Sequence, residues 1–157
     1  MKRVSLRRFS ESDLDAICLM EADQEVMAMT GPARAQTRLE SKARLDKILG
    51  FSDPRPYTGY WAGIDSSSGQ LVAWFMLLPV VDKPETFEIG FMVRRDCWGK
   101  GYAREFAQSL LSLIESGSGI RVIAKTSPKN EASKKVLLKC GFQELESEDL
   151  VQFVKVI

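Results

Sequence analysis

The chain has 157 residues, of which 45% are hydrophobic and 27% charged, and these proportions predict a single globular domain. The formal net charge of +1 excludes a global basic field that would attract nucleic acid. The longest apolar run, residues 71–81, contains a proline and is too short to span a bilayer, and the N-terminal residues lack an apolar signal segment. We therefore expect a cytoplasmic protein that binds neither nucleic acid nor membrane.

The sequence contains no histidine. This excludes catalysis by Cys-His or Ser-His pairs and every metal site that needs histidine. The three cysteines, Cys18, Cys97 and Cys140, have no CxxC spacing, so we expect mostly buried, reduced thiols and no metal. Proton transfer must therefore depend on Asp, Glu, Tyr, Cys, Lys or a hydroxyl group.

The predicted elements follow from apolar periodicity and turn residues. The helix over residues 37–49 should turn Leu39, Leu45, Ile48 and Leu49 to the core, and the helix over 101–116 should do the same with Phe106, Leu110, Leu113 and Ile114. The order β-α-α-β-β-β-α-β-α-β-β predicts a mixed α+β domain. In chain order we predict a strand (4–9), a helix capped by Ser10, a helix (37–49), a hairpin (60–64 and 71–78), a strand (86–93), a helix (101–116), a strand (121–126), a helix (131–140) and two strands (142–146 and 151–156).

The segment WGKGYA, residues 98–103, lies between the fourth predicted strand and the helix after it. A nucleoside-triphosphate loop is excluded because Gly101 stands where that loop needs Ser or Thr. A dinucleotide fingerprint is disfavoured because Arg104 occupies its third glycine position. Between Arg94 and Arg104, four cations against Asp96 give a net charge of +3. The segment therefore indicates backbone N–H groups at a helix N-terminus that bind a pyrophosphate, and the alternative is an ordinary turn with solvated charges.

These residues resemble the pyrophosphate-binding signature of the GNAT N-acetyltransferase superfamily, with Trp98 in place of the usual Gln or Arg. That replacement is common in the subgroup of ribosomal-protein N-terminal acetyltransferases. The preceding EIGFMV and the downstream TSPKNEASKKVLLKCGF resemble two further parts of the family's pattern. The resemblance implies one N-acetyltransferase domain over residues 1–157. It also implies an α+β fold with a mixed sheet of about seven strands and about four flanking helices, splayed between the fourth and fifth strands.

The resemblance also implies a cofactor site for acetyl-CoA, used as a cosubstrate. Main-chain groups of three strand residues would bind the pantetheine arm, Asn130 would bind the cofactor or cap the following helix, and the glycine turn would wrap the pyrophosphate. The cofactor-binding residues are therefore expected to be Phe91, Met92, Val93, Gly99, Lys100, Gly101, Tyr102, Ala103, Arg104 and Asn130.

Two catalytic residues follow from the resemblance and from the lack of histidine. Glu88, a charged residue in an apolar strand, is the expected base, and the alternative is a glutamate on a solvated sheet face. Leu137 stands where many family members have a tyrosine acid. Ser133, three residues after Asn130, matches the serine of the ribosomal-protein subgroup, so the resemblance makes it the expected acid. The alternatives are a small residue that only packs and a CoA thiolate that leaves without an acid. Strand alternation pairs Glu88 with Gly90 and Met92 unless a bulge interrupts it.

The acceptor is expected to be a primary amine, either a protein or peptide N-terminus or a small molecule, and the family often forms homodimers. Four aromatic residues, Tyr57, Tyr60, Trp61 and Trp74, line an acceptor pocket or belong to the core. The acidic run Glu144, Glu146, Glu148 and Asp149 attracts a cationic acceptor or is a solvated edge. Cys97, in the phosphate turn, is expected to be incidental. The alternatives to an acetyltransferase are a non-catalytic acyl-CoA-binding module of the same fold and a binder of another nucleotide.

Overall fold

A computed structural model of the chain describes residues 2–146 and 149–157. Seven strands form one sheet in the order β1-β2-β3-β4-β5-β7-β6, in which only β4 and β5 are parallel. The strands are β1 (Val4–Arg7), β2 (Gly59–Asp65), β3 (Leu71–Pro79), β4 (Thr86–Val93), β5 (Arg121–Thr126), β6 (Gln143–Leu145) and β7 (Val151–Val156). The helices are α1 (Leu14–Glu21), α2 (Gln24–Met27), α3 (Arg38–Leu49), α4 (Tyr102–Leu111) and α5 (Glu131–Lys139).

Local sequence signals explain where the helices begin and end. Thr37 caps α3 through a reciprocal pair of hydrogen bonds with Glu40, and Asn130 caps α5 by accepting a hydrogen bond from Ser133 N. After α5, Gly141 adopts φ +88°, a conformation that favours glycine and stops the helix. The Asn130 cap thus fixes where α5 begins, shortly after β5 ends at Thr126.

The sheet has an apolar core on each face. On one face, the core that contains Phe75, Phe87, Phe106 and Leu137 packs under α4 and α5. On the other face, a smaller core packs under α1 and α3 and includes Ile17, Met20, Leu45, Ile48 and Trp74. Each fully buried side chain of this size contributes about 1.5–3 kcal/mol to folding. We call these the α4/α5 face and the α1/α3 face.

The sheet opens between its two parallel strands. β4 and β5 are paired only from Thr86–Arg121 to Glu88–Ile123, although β4 continues to Val93. Along its other edge β4 stays paired with β3 from Phe87 to Val93 without a register shift. The splay between the fourth and fifth strands, predicted from the family resemblance, is therefore confirmed, and no bulge interrupts the alternation of β4.

Several details of the prediction are wrong. The first strand ends at Arg7 and not at residue 9, and Ser10 caps a short 3₁₀ helix, Glu11–Asp13, that precedes α1. A one-turn helix, α2, was missed, since four residues are too few to show a periodicity. α4 ends at Leu111 and not at residue 116, so that Leu113 is exposed. In α3, Leu39 is 80% exposed and Leu49 is also exposed, because the buried side of this helix is formed by Ser41, Leu45 and Ile48. No helix within the described ranges has both the length and the apolar character to cross a membrane.

Candidate active site

The turn before α4 presents a row of backbone donors. Gly99 and Gly101 have φ of +71° and +84°, which L residues with a side chain rarely adopt. Across residues 2–146 and 149–157, nothing accepts a hydrogen bond from the backbone N–H groups of the six residues from Gly99 to Arg104. Because the positive end of the helix dipole lies at the same place, the turn has the backbone geometry of an anion-binding site.

Two of the four cations of this segment are already paired with carboxylates. Arg94 bonds both carboxylate oxygens of Asp96, at 2.6 and 3.0 Å, and Arg95 forms an ion pair of 2.9 Å with Asp23 before α2. Lys100 and Arg104 are exposed, and neither has a carboxylate within salt-bridge distance in the part of the chain that the structure describes. These two cations therefore remain available to an anion bound at the turn.

A second layer of contacts, which sequence analysis missed, supports the turn from outside. The Arg3 guanidinium donates to Lys100 O at 2.6 Å, pairs with Glu105 and lies 4.1 Å from the centre of the Tyr102 ring. The Tyr102 hydroxyl donates to Asp65 Oδ1 at 3.0 Å. Hydrogen bonds from Ser68 and Ser67 lower the pKa of Asp65 to about 2, so the carboxylate stays ionised. No local sequence signal joins Arg3 to a turn 97 residues away.

The open edge of β4 lies next to this turn. Arg94 N donates to Val72 O at 2.8 Å, which places Arg94 among the residues that bond toward β3. By the alternation of an antiparallel ladder, the main-chain groups of Met92 also point to β3, whereas those of Phe91 and Val93 point to the open edge. Of the three predicted pantetheine contacts, the geometry therefore favours Phe91 and Val93. Trp98 Nε1 already donates to Val93 O at 2.8 Å, which leaves the Val93 N–H at this edge.

Glu88 lies at the last residue pair before β4 and β5 part. Its side chain is on the α1/α3 face, since Phe87 and Ile89 on either side of it belong to the opposite core. The carboxylate is 33% exposed, and Oε1 lies 4.0 Å from Lys125 Nζ on β5. The residue is thus neither fully solvated nor sequestered, and it borders the opening in the sheet.

Asn130 and Ser133 lie at the start of α5, beyond the end of β5. The Asn130 side chain caps the helix through its oxygen, with Oδ1 3.1 Å from Ser133 N, so the capping alternative is correct and the amide nitrogen is still available. Ser133 is half-buried, and its hydroxyl has no hydrogen-bond partner among the described residues. Leu137, one turn further, is fully buried in the core of the α4/α5 face. Glu88 therefore lies on the α1/α3 face, whereas Ser133 belongs to a helix that packs on the opposite face.

The four aromatic residues proposed for an acceptor pocket divide between the two faces. Tyr60 and Trp74 pack together on the α1/α3 face, with ring centres 5.7 Å apart, together with Met76. Tyr57 and Trp61 pack on the α4/α5 face instead. Only the first pair shares the face of Glu88. Gly90, next to Glu88 on this face, is covered by Met76, because a Cβ at Gly90 would lie 2.7 Å from Met76 Cε.

Other predicted features have a structural explanation. Burial raises the pKa of the Cys97 thiol, as does the nearby Asp96, so Cys97 is poorly suited to act as a nucleophile. All three cysteines are free, and Cys97 and Cys140 are buried, as predicted. Glu144, Glu146 and Asp149 are exposed, whereas Glu148 lies outside the described residues. Within residues 2–146 and 149–157, no group of three or more Cys, Asp or Glu side chains is placed to hold a metal ion.

Comparison with known proteins assigns this fold and site to one family. Residues 3–143 match the family described as acetyltransferase (GNAT) domain, and the chain belongs to that family. A curated relative from Aspergillus fumigatus, named FsC-acetyl coenzyme A-N(2)-transacetylase, is 31% identical over 136 residues, which are 82% of this chain and 57% of the relative. The chain thus spans little more than half of that protein. The predicted membership of the GNAT N-acetyltransferase superfamily is confirmed.

Solved structures show the same fold at low sequence identity. A GNAT-family acetyltransferase from Bacillus anthracis superposes with a TM-score of 0.82 and 23% identity, covering 99% of this chain and 95% of the other. The ribosomal-protein-S5-alanine acetyltransferase from Vibrio fischeri superposes with a TM-score of 0.77 and 20% identity, covering 99% and 94%. Both structures therefore share the fold of this chain over nearly its whole length.

Proposed function

We propose that this chain is a single acetyltransferase domain that transfers the acetyl group of acetyl-CoA directly to a primary amine. The observation that carries the proposal is the opening between β4 and β5, which ends beside six backbone N–H groups without a partner among the described residues. The opening is suited to an extended pantetheine arm, and the N–H groups are suited to a pyrophosphate. CoA contains these two parts in this order.

In the proposed reaction, the amine nitrogen attacks the thioester carbonyl carbon, a C–N bond forms and the C–S bond breaks. Glu88 accepts the proton that the attacking amine loses, directly or through a water molecule. The CoA thiolate takes a proton from the Ser133 hydroxyl, which is reprotonated from solvent in the same step, or directly from solvent. The position of Glu88 at the opening, on the face opposite to the helix that carries Ser133, supports this division of roles.

An α-amino group of a protein or peptide, or a small amine, is the proposed acceptor. An α-amino group with a pKa near 7.7–8.0 is roughly a quarter neutral near pH 7.4, whereas about one lysine in a thousand is. A carboxylate base that is one-third exposed is suited to the easier deprotonation. The name of the Aspergillus fumigatus relative, which specifies acetyl coenzyme A and N(2), supports acetyl-CoA as the donor and nitrogen as the acceptor atom.

The alternative is a non-catalytic acyl-CoA-binding module of the same fold. It is favoured by one observation, namely that Leu137 stands where many family members have a tyrosine, so that no tyrosine acid is available at that position.

We also propose a reducing compartment, the cytoplasm, for this chain because its three thiols are unpaired.

Thermal unfolding with acetyl-CoA, CoA, ATP and NAD at equal concentrations tests the cofactor. A ligand at one hundred times its Kd adds about 2.7 kcal/mol of stability, or about 5 to 10 °C in Tm for a chain of this size. We expect acetyl-CoA and CoA to shift Tm and the other two not to. A larger shift with ATP or NAD would overturn the proposal. Release of CoA thiol during incubation with peptides and small amines then separates the enzyme from the binding module.

A further inference from the structure

Arg3 lies outside the anion-binding turn and contacts it from the N-terminal strand. Its backbone carbonyl accepts a hydrogen bond from Ser66 N at 2.8 Å, which ties Arg3 to the hairpin turn between β2 and β3. Its guanidinium reaches Lys100 O at 2.6 Å and pairs with Glu105 on α4. One side chain thus joins the hairpin, the turn and the first helical turn of α4.

The contact with Lys100 O determines the direction of a neighbouring donor. A peptide unit is planar and trans, so the carbonyl of Lys100 and the N–H of Gly101 point in opposite directions. When Arg3 holds Lys100 O toward itself, the Gly101 N–H points away from Arg3 and stays free for an anion. Without that contact, this peptide is free to rotate, because glycine at 101 restricts its φ very little.

The rest of the cluster fixes the guanidinium. The planar guanidinium stacks over the Tyr102 ring, 4.1 Å from its centre, in a geometry that attracts a cation to an aromatic face. Tyr102 is held in turn by its hydrogen bond to Asp65. The approach is close enough that a Cβ at Gly101 would lie 3.3 Å from Arg3 Nη2. Glycine at 101 is therefore favoured by its positive φ, and a Cβ there would crowd the Arg3 guanidinium.

We propose that Arg3 is a positioning residue of the cofactor site, which aims the Gly101 N–H at the pyrophosphate of CoA by holding the Lys100 carbonyl. The inference rests on the proposed function. It differs from a direct role, because Arg3 is neutralised by Glu105 and bonds the outer side of the turn. Arg3 prepares the backbone for the anion and does not itself bind it.

The test is the Kd for CoA, measured by calorimetry, of four proteins: wild type, R3A, R3K and R7A. Arg7 is the matched control, because it is an arginine of β1 that makes a bidentate ion pair with Asp13 and does not contact the turn. We expect R3A to raise the Kd about tenfold, the loss of about 1.4 kcal/mol, while R7A leaves it unchanged. R3K keeps the charge but lacks the planar fork, so we expect a loss of at least about threefold.

Each other outcome overturns the proposal. Wild-type affinity in both Arg3 variants would mean that the turn holds its shape alone. Loss in R3A with full affinity in R3K would mean that charge, and not the direction of a peptide, matters. Equal loss in R3A and R7A would mean a general loss of structure.

Two further measurements keep the test decisive. If R3A does not fold, Y102F and R3K replace it in the test. Y102F removes only the hydroxyl that anchors the ring to Asp65, and we expect it to raise the Kd for CoA as well. The wild-type protein tests the proposed function separately. If the wild type does not bind CoA, the proposed function is overturned. If the wild type binds CoA and the variants bind it equally well, only the role of Arg3 is overturned.

Discussion

The carboxylate of Glu88 and the ammonium group of Lys125 face each other across β4 and β5, with Oε1 and Nζ 4.0 Å apart, at the point where the two strands part. An ion pair at this distance and exposure is weak, so it leaves the carboxylate free to interact with an incoming amine or water. Both charged groups therefore lie at the edge of the opening between β4 and β5.

Replacing Glu88 by Gln tests the proposed base. We expect kcat to fall about a hundredfold, because a positioned base contributes at least that much to proton transfer. The Kd for CoA should not change, since Gln keeps the size of the side chain, whereas the pH–rate profile should change and keep only the acidic limb that the ionisation of the acceptor amine produces. The exposed Glu144 on β6 provides the control, and E144Q should behave as wild type. An unchanged pH–rate profile in E88Q would exclude Glu88 as the base.

Gly101→Ala should weaken the binding of CoA. Alanine at φ +84° costs about 1–2 kcal/mol, and its Cβ also presses on the Arg3 guanidinium. Gly117 has φ +81° with nothing within 4 Å of a Cβ, so G117A carries the same backbone strain far from the turn. Denaturant unfolding should show a similar loss of stability in both variants, whereas calorimetry should show weaker CoA binding in G101A alone. Equal affinities would contradict the role assigned to the turn.

Arg44→Met should destabilise the fold strongly. The Glu21 carboxylate is 1% exposed, accepts a hydrogen bond from Ser41 Oγ at 2.7 Å and pairs with Arg44 Nε at 2.8 Å. Removing the cation leaves a buried, unpaired charge, which costs about 3 kcal/mol. Arg38, on the same helix, pairs with the exposed Asp15, and R38M should cost less than about 1 kcal/mol. Urea unfolding measures both, and a loss in R44M no larger than in R38M would contradict the prediction.

Asp13 should make the stability depend on acid pH. The Arg7 guanidinium, together with Ser10, holds the pKa of this buried carboxyl below its ordinary value. A lowered pKa in the folded state contributes stability above the unfolded value of about 3.9, and this contribution is lost as pH falls through the folded pKa. The stability difference between wild type and D13N should therefore be constant from pH 7 to 5 and shrink below pH 4. A difference that stays constant down to pH 3 would show that Asp13 acts only through packing.

Much of the sheet could be predicted because its central strands are apolar runs with sharp ends. The bounds of β4, β5 and β7 agree with the prediction, since turn residues or prolines flank each of them. In α3, by contrast, the apolar character of Leu39 and Leu49 was misleading, because the buried side follows Ser41, Leu45 and Ile48. A buried serine that bonds Glu21 carries no hydrophobic signal.

The features of the candidate site that neighbouring residues form could be predicted from the sequence, whereas the contacts between distant segments could not. The glycine turn and the cap of α5 are read from neighbouring residues. The contacts of Arg3 with Lys100 O, and of Arg95 with Asp23, join distant segments and have no local pattern. Part of the aromatic assignment was within reach, because Tyr60 and Trp61 are adjacent in a strand and must point to opposite faces.

Gly90 and Met76 together suggest how the acceptor range of this protein is adjusted. Beside Glu88, the wall of the α1/α3 face is made by a thioether side chain that fills the space above a glycine. Methionine is unbranched and adopts several shapes at little cost, unlike the rigid rings of Tyr60 and Trp74. Under the proposed function, with Glu88 as the base, this wall would border the acceptor amine, and we expect that exchanging Met76 for a shorter or branched side chain would change which amines are accepted.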